Sequence, residues 1–383
     1  MTSWKELFQL PEEIHYFNHA YMAPLPEPVE RAGIEGVRFK REPWKVVPED
    51  FFQTAQTVRQ KFAGLVNCAG HEVAIIPSAS YGLSAACQNV DPALGNHAIT
   101  VAQEFPSGYY AVQRWCRKNG KTLKVITPLS LGENKSKLWN DQLLEAINRD
   151  TAMVVLSSIH WTDGTCFDLE AIGKRCLETN TALIVDGTQS VGAMPINLQN
   201  VHLDALVCAA YKWLCGPYSS ALAYYGERFH RGEPLEISYL NKEGAVHFHK
   251  LIEYTDVYEK GAARFNMGEF SQFIHLPMLA ASLDVVQSCD PQNIQHWGYQ
   301  LTSSMVNNLK ERGCIIGDAA GRGAHILGIG LPEGNNIEAI IQELKQHQFF
   351  VSRRGNSLRL SIHLYNTKEE VEALEKIIIS QLL

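Results

Sequence analysis

No part of this 383-residue chain approaches the ~18 consecutive apolar residues of a membrane-spanning helix. Its opening, MTSWKELFQL, carries no apolar run of the signal-peptide kind, so the expected address is the cytoplasm. Basic residues do not dominate either. Against 41 Asp and Glu stand 34 Lys and Arg, and the net charge of −7 argues against nucleic acid or anionic membrane as a partner. The nine cysteines are odd in number and nowhere spaced as Cys-x-x-Cys. They read as thiols of a reducing compartment, not as disulfides or a zinc site. The 14 histidines contain no His-Glu-x-x-His pair, and His247 with His249 would by themselves make an incomplete ligand set, so no metal is expected. No Gly-x-Gly-x-x-Gly follows an early strand, which counts against a nicotinamide site. What remains, at 45% hydrophobic and 20% charged, is an ordinary globular composition, and the length suggests two or three domains.

Two apolar runs, Ala182–Val185 and Ala205–Cys208, read as buried strands. The first ends on Asp186 and the second leads into Tyr211-Lys212. In an open α/β sheet, ligands bind at the carboxyl ends of the strands, so this stretch delivers a carboxylate and an amine to one edge. A lysine in a partly apolar pocket can lose its proton and attack a carbonyl, and a nearby aspartate can hold a cationic ring nitrogen. That pair is the protein's share of pyridoxal phosphate (PLP) chemistry. Alone, Asp186 reads as a turn residue and Lys212 as a solvated charge; the pair in this setting carries the chemistry.

Further strands are expected at Val73–Pro77, His97–Val101, Thr122–Ile126, Met153–Ser157 and Ala221–Tyr225, making seven that alternate with helical pieces. The class is therefore α/β. After the first of them, Ser78-Ala79-Ser80-Tyr81-Gly82 opens a helix, and small hydroxyl residues there serve either as plain caps or as a phosphate cradle. By spacing alone, capping is the preferred reading. From Pro277 the pattern shifts to helices at Met278–Gln287 and Asn293–Arg312, strands at His325–Ile329 and Leu358–His363, and a last helix at Lys368–Leu382, a smaller α+β unit.

Asp186-Gly187-Thr188-Gln189 and Tyr211-Lys212-Trp213-Leu214-Cys215-Gly216-Pro217-Tyr218 resemble the class V aminotransferase family of fold-type-I PLP enzymes, which includes cysteine desulfurases, selenocysteine lyases and kynureninases. The resemblance runs from Tyr16 to about Leu374. It implies a large domain over 21–275 built on a seven-stranded mixed sheet. It also implies a small α+β domain from 1–20 and 276–383, and a homodimer that binds PLP and an amino acid substrate. Lys212 would form the Schiff base and act on the α-carbon, and Asp186 would hold the pyridinium. Ser78-Ala79-Ser80 matches the Gly-Thr-Thr phosphate loop of cysteine desulfurases, and Tyr211 stands at a further phosphate position, as in kynureninases. Phe105, in Phe105-Pro106-Ser107, would stack on the ring, and Gln189 would bond the phenolic oxygen. Arg359 would take the α-carboxylate, with Asn18 and His19 on the substrate side. Trp161 replaces an Asn of the desulfurases, Ala209 a Ser, and Glu269 a Thr that reaches the neighbouring subunit.

Desulfurases and selenocysteine lyases carry a nucleophilic Cys on a loop before that Arg, whereas no Cys follows Cys314 here. The expectation is a lyase of the selenocysteine lyase and cysteine desulfurase group that lacks this nucleophile. A class V aminotransferase or epimerase, and a non-catalytic α/β binding protein, are the alternatives.

Overall fold

In the computed structural model, residues 4–382 are described; residues 1–3 and 383 of the expected small domain lie outside them. The apolar runs of the first 230 residues assemble into one sheet. Its strands are β2 (Val73–Ile76), β3 (His97–Val101), β4 (Thr122–Ile126), β5 (Thr151–Ser157), β6 (Ala182–Asp186), β7 (Ala205–Ala209) and β8 (Ala221–Tyr225). The spatial order is β2-β8-β7-β6-β5-β3-β4, parallel except for β8, which is antiparallel to β2 and β7. The expected seven-stranded mixed sheet is therefore present.

These strands read as unbroken apolar runs because both sheet faces are covered. Alternate side chains go to opposite sides. Ile75, Val154, Leu156, Val185 and Leu206 join one core with helices α3 (Asp50–Val66), α6 (Lys135–Ala146) and α7 (Leu169–Thr179). Ala74, Met153, Val155, Ile184 and Val207 join another with α4 (Ala79–Gln88) and α5 (Pro106–Asn119). The exception is β4, which lies at the sheet edge with Thr122, Lys124 and Val125 exposed.

A second core gathers Phe17 with residues of α9 (Pro291–Glu311), β9 (Ile326–Gly330), α10 (Ile337–Gln346), β12 (Ser357–Ser361) and α11 (Lys368–Ser380). Its three-stranded antiparallel sheet has the order β11-β12-β9, with β11 spanning Ser352–Arg354. Helix α8 (His275–Cys289), which the sequence expectation assigns to the small domain, instead packs Leu276, Leu279 and Leu283 into the first core. It lies against α3 and α2 (Glu27–Phe39). Helix α10 and strand β11 are absent from the expectation.

The N-terminal segment starts with α1 (Trp4–Leu7) and then ties the two cores together. Strand β1 (His15–Tyr16) pairs in parallel with β10 (Phe349–Phe350), and the Ser361 amide donates to the Phe17 carbonyl at 2.8 Å. A few residues later, the Ala23 amide donates to the Tyr211 carbonyl at 3.0 Å, beside the lysine turn of the main sheet.

Candidate active site

The carboxyl ends of β2, β3, β5, β6 and β7 share one edge of the sheet, and the antiparallel β8 begins there. A cavity of about 290 Å³ opens at that edge. Its walls are the residues that follow each strand: Ser78, Ala79 and Ser80, Phe105 and Ser107, Trp161, Asp186 and Gln189, Tyr211 and Lys212, and Ser219 and Ser220. The topology alone thus brings together eight of the eleven residues nominated from the sequence.

Asp186 ends β6 and is 5% exposed. One of its carboxylate oxygens accepts from the Thr188 amide at 2.9 Å, and among the described residues it is in no ion pair. Burial raises this carboxyl, with the Thr188 hydrogen bonds and the Lys212 charge opposing. Lys212 is 6% exposed and likewise has no ion-pair partner among the described residues. Burial lowers its amine to about 8; Asp186 opposes that shift, and Arg359 and Arg354 add to it. The turn that presents it is fixed from below. Gly192 (φ +96°) approaches so closely that a Cβ there would stand 2.3 Å from the Trp213 carbonyl, so only glycine fits.

Phe105 lies 5.2 Å from the Lys212 ammonium at its ring centroid and meets the Trp161 ring edge-on at 5.5 Å. Its backbone is held by Glu104, a buried carboxyl that the sequence reading overlooked. Glu104 accepts from the Phe105 amide at 2.6 Å and from the Ser157 amide at 2.7 Å, and burial raises its pKa. The Trp161 indole donates to the Gln103 carbonyl at 2.7 Å, so it is already committed. Gln189 accepts from the Trp213 indole at 2.9 Å and donates one amide hydrogen to the Ala20 carbonyl at 3.1 Å, which leaves one hydrogen free.

At the other end of the cavity, two helices start side by side. Ser78 caps α4 by accepting from the Tyr81 amide at 3.1 Å, so the capping reading holds for its hydroxyl. Ser80, the second residue of α4, faces Ser107 of α5, with the hydroxyl oxygens 2.7 Å apart. Ser107 was also missed. The signal was there, in a serine directly after a proline that starts a helix.

Three nominated residues do not line the cavity. Arg359, on β12, is 1% exposed. It donates to the Trp161 carbonyl at 2.8 Å and the Ser352 hydroxyl at 3.4 Å, and its Nε has no partner. Asn18 accepts from that same Ser352 hydroxyl, so it supports the guanidinium from behind. His19 corrects the expectation of a substrate-side residue. It is fully buried, bonded to the Tyr365 hydroxyl at 3.1 Å and stacked on Trp213. The donor atoms of His19, Cys215 and His363 lie within 4.8 Å of one another. The two imidazoles, however, stack at 11°, so their in-plane lone pairs run side by side and do not converge on one ion.

A flat cofactor with a cationic ring nitrogen and an anionic end fits these walls. Asp186 is a buried carboxylate lacking a cation, Lys212 an amine lowered toward neutrality, and Ser80 with Ser107 two hydroxyls at paired helix N-termini.

Comparison with known proteins agrees. The profile of the family described as Aminotransferase class-V matches residues 45–374. The uncharacterized aminotransferase YcbU of Bacillus subtilis is 24% identical over 96% of this chain and 94% of its own length. The kynureninase of Geobacillus thermodenitrificans is also 24% identical, over 88% of this chain and 79% of its own length. Among solved structures, the apo cysteine desulfurase of Thermococcus onnurineus superposes with a TM-score of 0.82, covering 99% of this chain and 98% of that one at 19% identity.

Proposed function

The chain belongs to the class-V aminotransferase family, and on that premise we propose that it is a lyase that cleaves a side-chain bond of an α-amino acid without a cysteine nucleophile. As a member of that family it is a PLP-dependent enzyme, related to kynureninases and cysteine desulfurases. The observation that carries the reading is that Lys212 and Asp186, both buried and neither ion-paired, face one cavity. PLP, when bound, supplies an electron sink conjugated to the substrate's α-carbon.

The chain's own residues do the rest. Lys212 would hold the cofactor through its amine and would move the proton at the substrate's α-carbon. Asp186 keeps the ring nitrogen protonated. Ser80, Ser107 and Tyr211 hold the phosphate, with the Ala79 amide and the capped start of α4 behind them. Phe105 would cover the ring, and Gln189 would offer its free hydrogen to the phenolic oxygen. Arg359, supported by Asn18 through Ser352, takes the α-carboxylate.

Two observations support cleavage without a thiol. No cysteine is among the residues lining the cavity, and burial pushes Cys208 and Cys215 well up. The turn between Arg354 and Ser357 holds only Gly355 and Asn356, too short to carry a nucleophile across. A homodimer in the cytoplasm completes the proposal. The exposed Ile237, Ile252 and Tyr254 supply apolar surface for a second copy. The second core, with the N-terminal segment, is the small domain of the pair.

The test is borohydride reduction of the PLP-loaded protein, followed by peptide mass analysis. The cofactor mass is expected on the Lys212 peptide and absent from Lys212→Ala, with loss of the visible absorbance band. A lyase then forms product without an added keto acid. Turnover that depends strictly on a keto acid favours an aminotransferase.

A further inference from the structure

We propose that the substrate carries a second anionic group, as a dicarboxylic amino acid does, and that Arg354 is the residue that reads it. This rests on the reading above in which Arg359 takes the α-carboxylate. In the β11–β12 hairpin, Ser352 stands opposite Arg359, and Arg354 lies two residues beyond Ser352. Side chains two apart share a face, so Arg354 and Arg359 are diagonal neighbours on one side of the sheet. Arg353 between them points the other way, where it pairs with Glu338.

Neither neighbour has such a partner. Among the described residues, Arg354 and Arg359 are in no ion pair, and the Nε of each is buried without any hydrogen-bond partner. Arg354 donates only to the Arg353 carbonyl, and its guanidinium lies 5.2 Å from the Trp161 ring centroid. Trp161 belongs to the wall of the PLP cavity and also to a second cavity of about 440 Å³, which Arg354 lines. Trp161 thus joins the two cavities, with the Arg354 guanidinium over its ring and the buried Arg359 bonded to its carbonyl.

The charge inventory is unbalanced. Both arginine charges add to the lowering of Lys212, burial and the Arg354 charge lower Arg359 to about 9, and burial lowers Arg354. Asp186 is the one carboxylate that faces Lys212 in the cavity wall, and the ring nitrogen uses it. A substrate with one carboxylate would satisfy Arg359 and leave Arg354 uncompensated. A second carboxylate, ~4–5 Å from the first by ordinary bond lengths in aspartate or glutamate, satisfies both. The forked donors of arginine suit that group, and a substrate with an apolar side chain would leave them unpaired.

The experiment uses the PLP-loaded protein and two readouts. Calorimetric titration with succinate and with propionate, neither of which has an amine to react, is expected to give succinate at least tenfold tighter binding, with Arg354→Gln removing the difference. The ratio of kcat/KM for aspartate or glutamate over alanine is expected to fall about 30- to 100-fold in Arg354→Gln, as loss of a charged hydrogen-bonded pair implies. Arg354→Lys, which keeps charge without the fork, should recover part of it. Equal binding of succinate and propionate by protein that shows the Lys212-dependent band overturns this proposal and leaves the PLP reading intact. So does a preference for kynurenine or alanine that is unmoved by Arg354→Gln. Absence of the band overturns both.

Discussion

Lys212 is held between two opposing effects, and its chemistry depends on the balance. Burial favours the neutral amine and Asp186 favours the ammonium; burial wins, placing the group near 8. Attachment of the cofactor needs the neutral form, so its rate should rise with pH and level off above about pH 8, two units below an ordinary lysine. Stopped-flow absorbance across pH 6.5–10 would show it, and a plateau only above pH 10 would contradict the burial argument. Lys212 and Asp186 were legible in the sequence because each follows an apolar run whose end marks the sheet edge. Glu104 was not, since a carboxylate after a strand looks like a solvated turn residue. Its burial depends on Ser157, 53 residues away in sequence. His19 failed for the same reason. Its neighbours Tyr365 and His363 come from the far end of the chain.

At the level of elements, the proposed phosphate end is a place where two helices begin together. The sequence showed the start of α4, and the family pattern supplied its role; that α5 starts beside it follows only from the packing of α4 on α5. Because Ser80 and Ser107 touch, their contributions should not add. Single alanine substitutions are each expected to weaken PLP binding about tenfold, and the double substitution less than the product, since the first removal also frees the surviving hydroxyl. Equilibrium dialysis of the four proteins closes the cycle. Elsewhere the strand ends shifted by one or two residues from expectation, as they do when flanking residues decide the ladder. Strands β1 and β10, two residues each, exist only through their pairing, and no local pattern announces them.

For the whole molecule, sheet order was beyond the reach of periodicity, because a buried parallel strand reads alike in any position. The resemblance supplied a mixed seven-stranded sheet, and the structure adds which strand runs backwards. Where the two cores meet, His19, His325 and His363 are fully buried, and Cys215, Tyr365 and Gln295 are bonded to them. Burial holds His325 near 4 and His363 near 3, and lowers His19 well below the usual range. The unfolded chain takes up these protons from ~6.5 downward while the folded chain does not. Stability is therefore full above pH 7 and falls as the pH drops toward the folded values, by about 1.4 kcal/mol per pH unit for each histidine. The urea midpoint should drop steeply between pH 6 and 4, and His363→Asn should flatten that slope.

The strap formed by the N-terminal segment from Trp4 to Ala23 has a temporal consequence. Its partners are the last strands of the chain, and Ser352 bonds Asn18 across 334 positions. On the ribosome the strap emerges before the main sheet and must wait, unpaired, while that whole sheet is made. Only when β10 to β12 clear the exit tunnel can Asn18 and Ser352 come together behind Arg359. The sheet edge that carries Lys212 is thus completed earlier than Arg359, the residue proposed to hold the substrate. On the proposed assignment, a nascent chain would have the parts that capture the cofactor before it has the arginines that select what the cofactor acts upon.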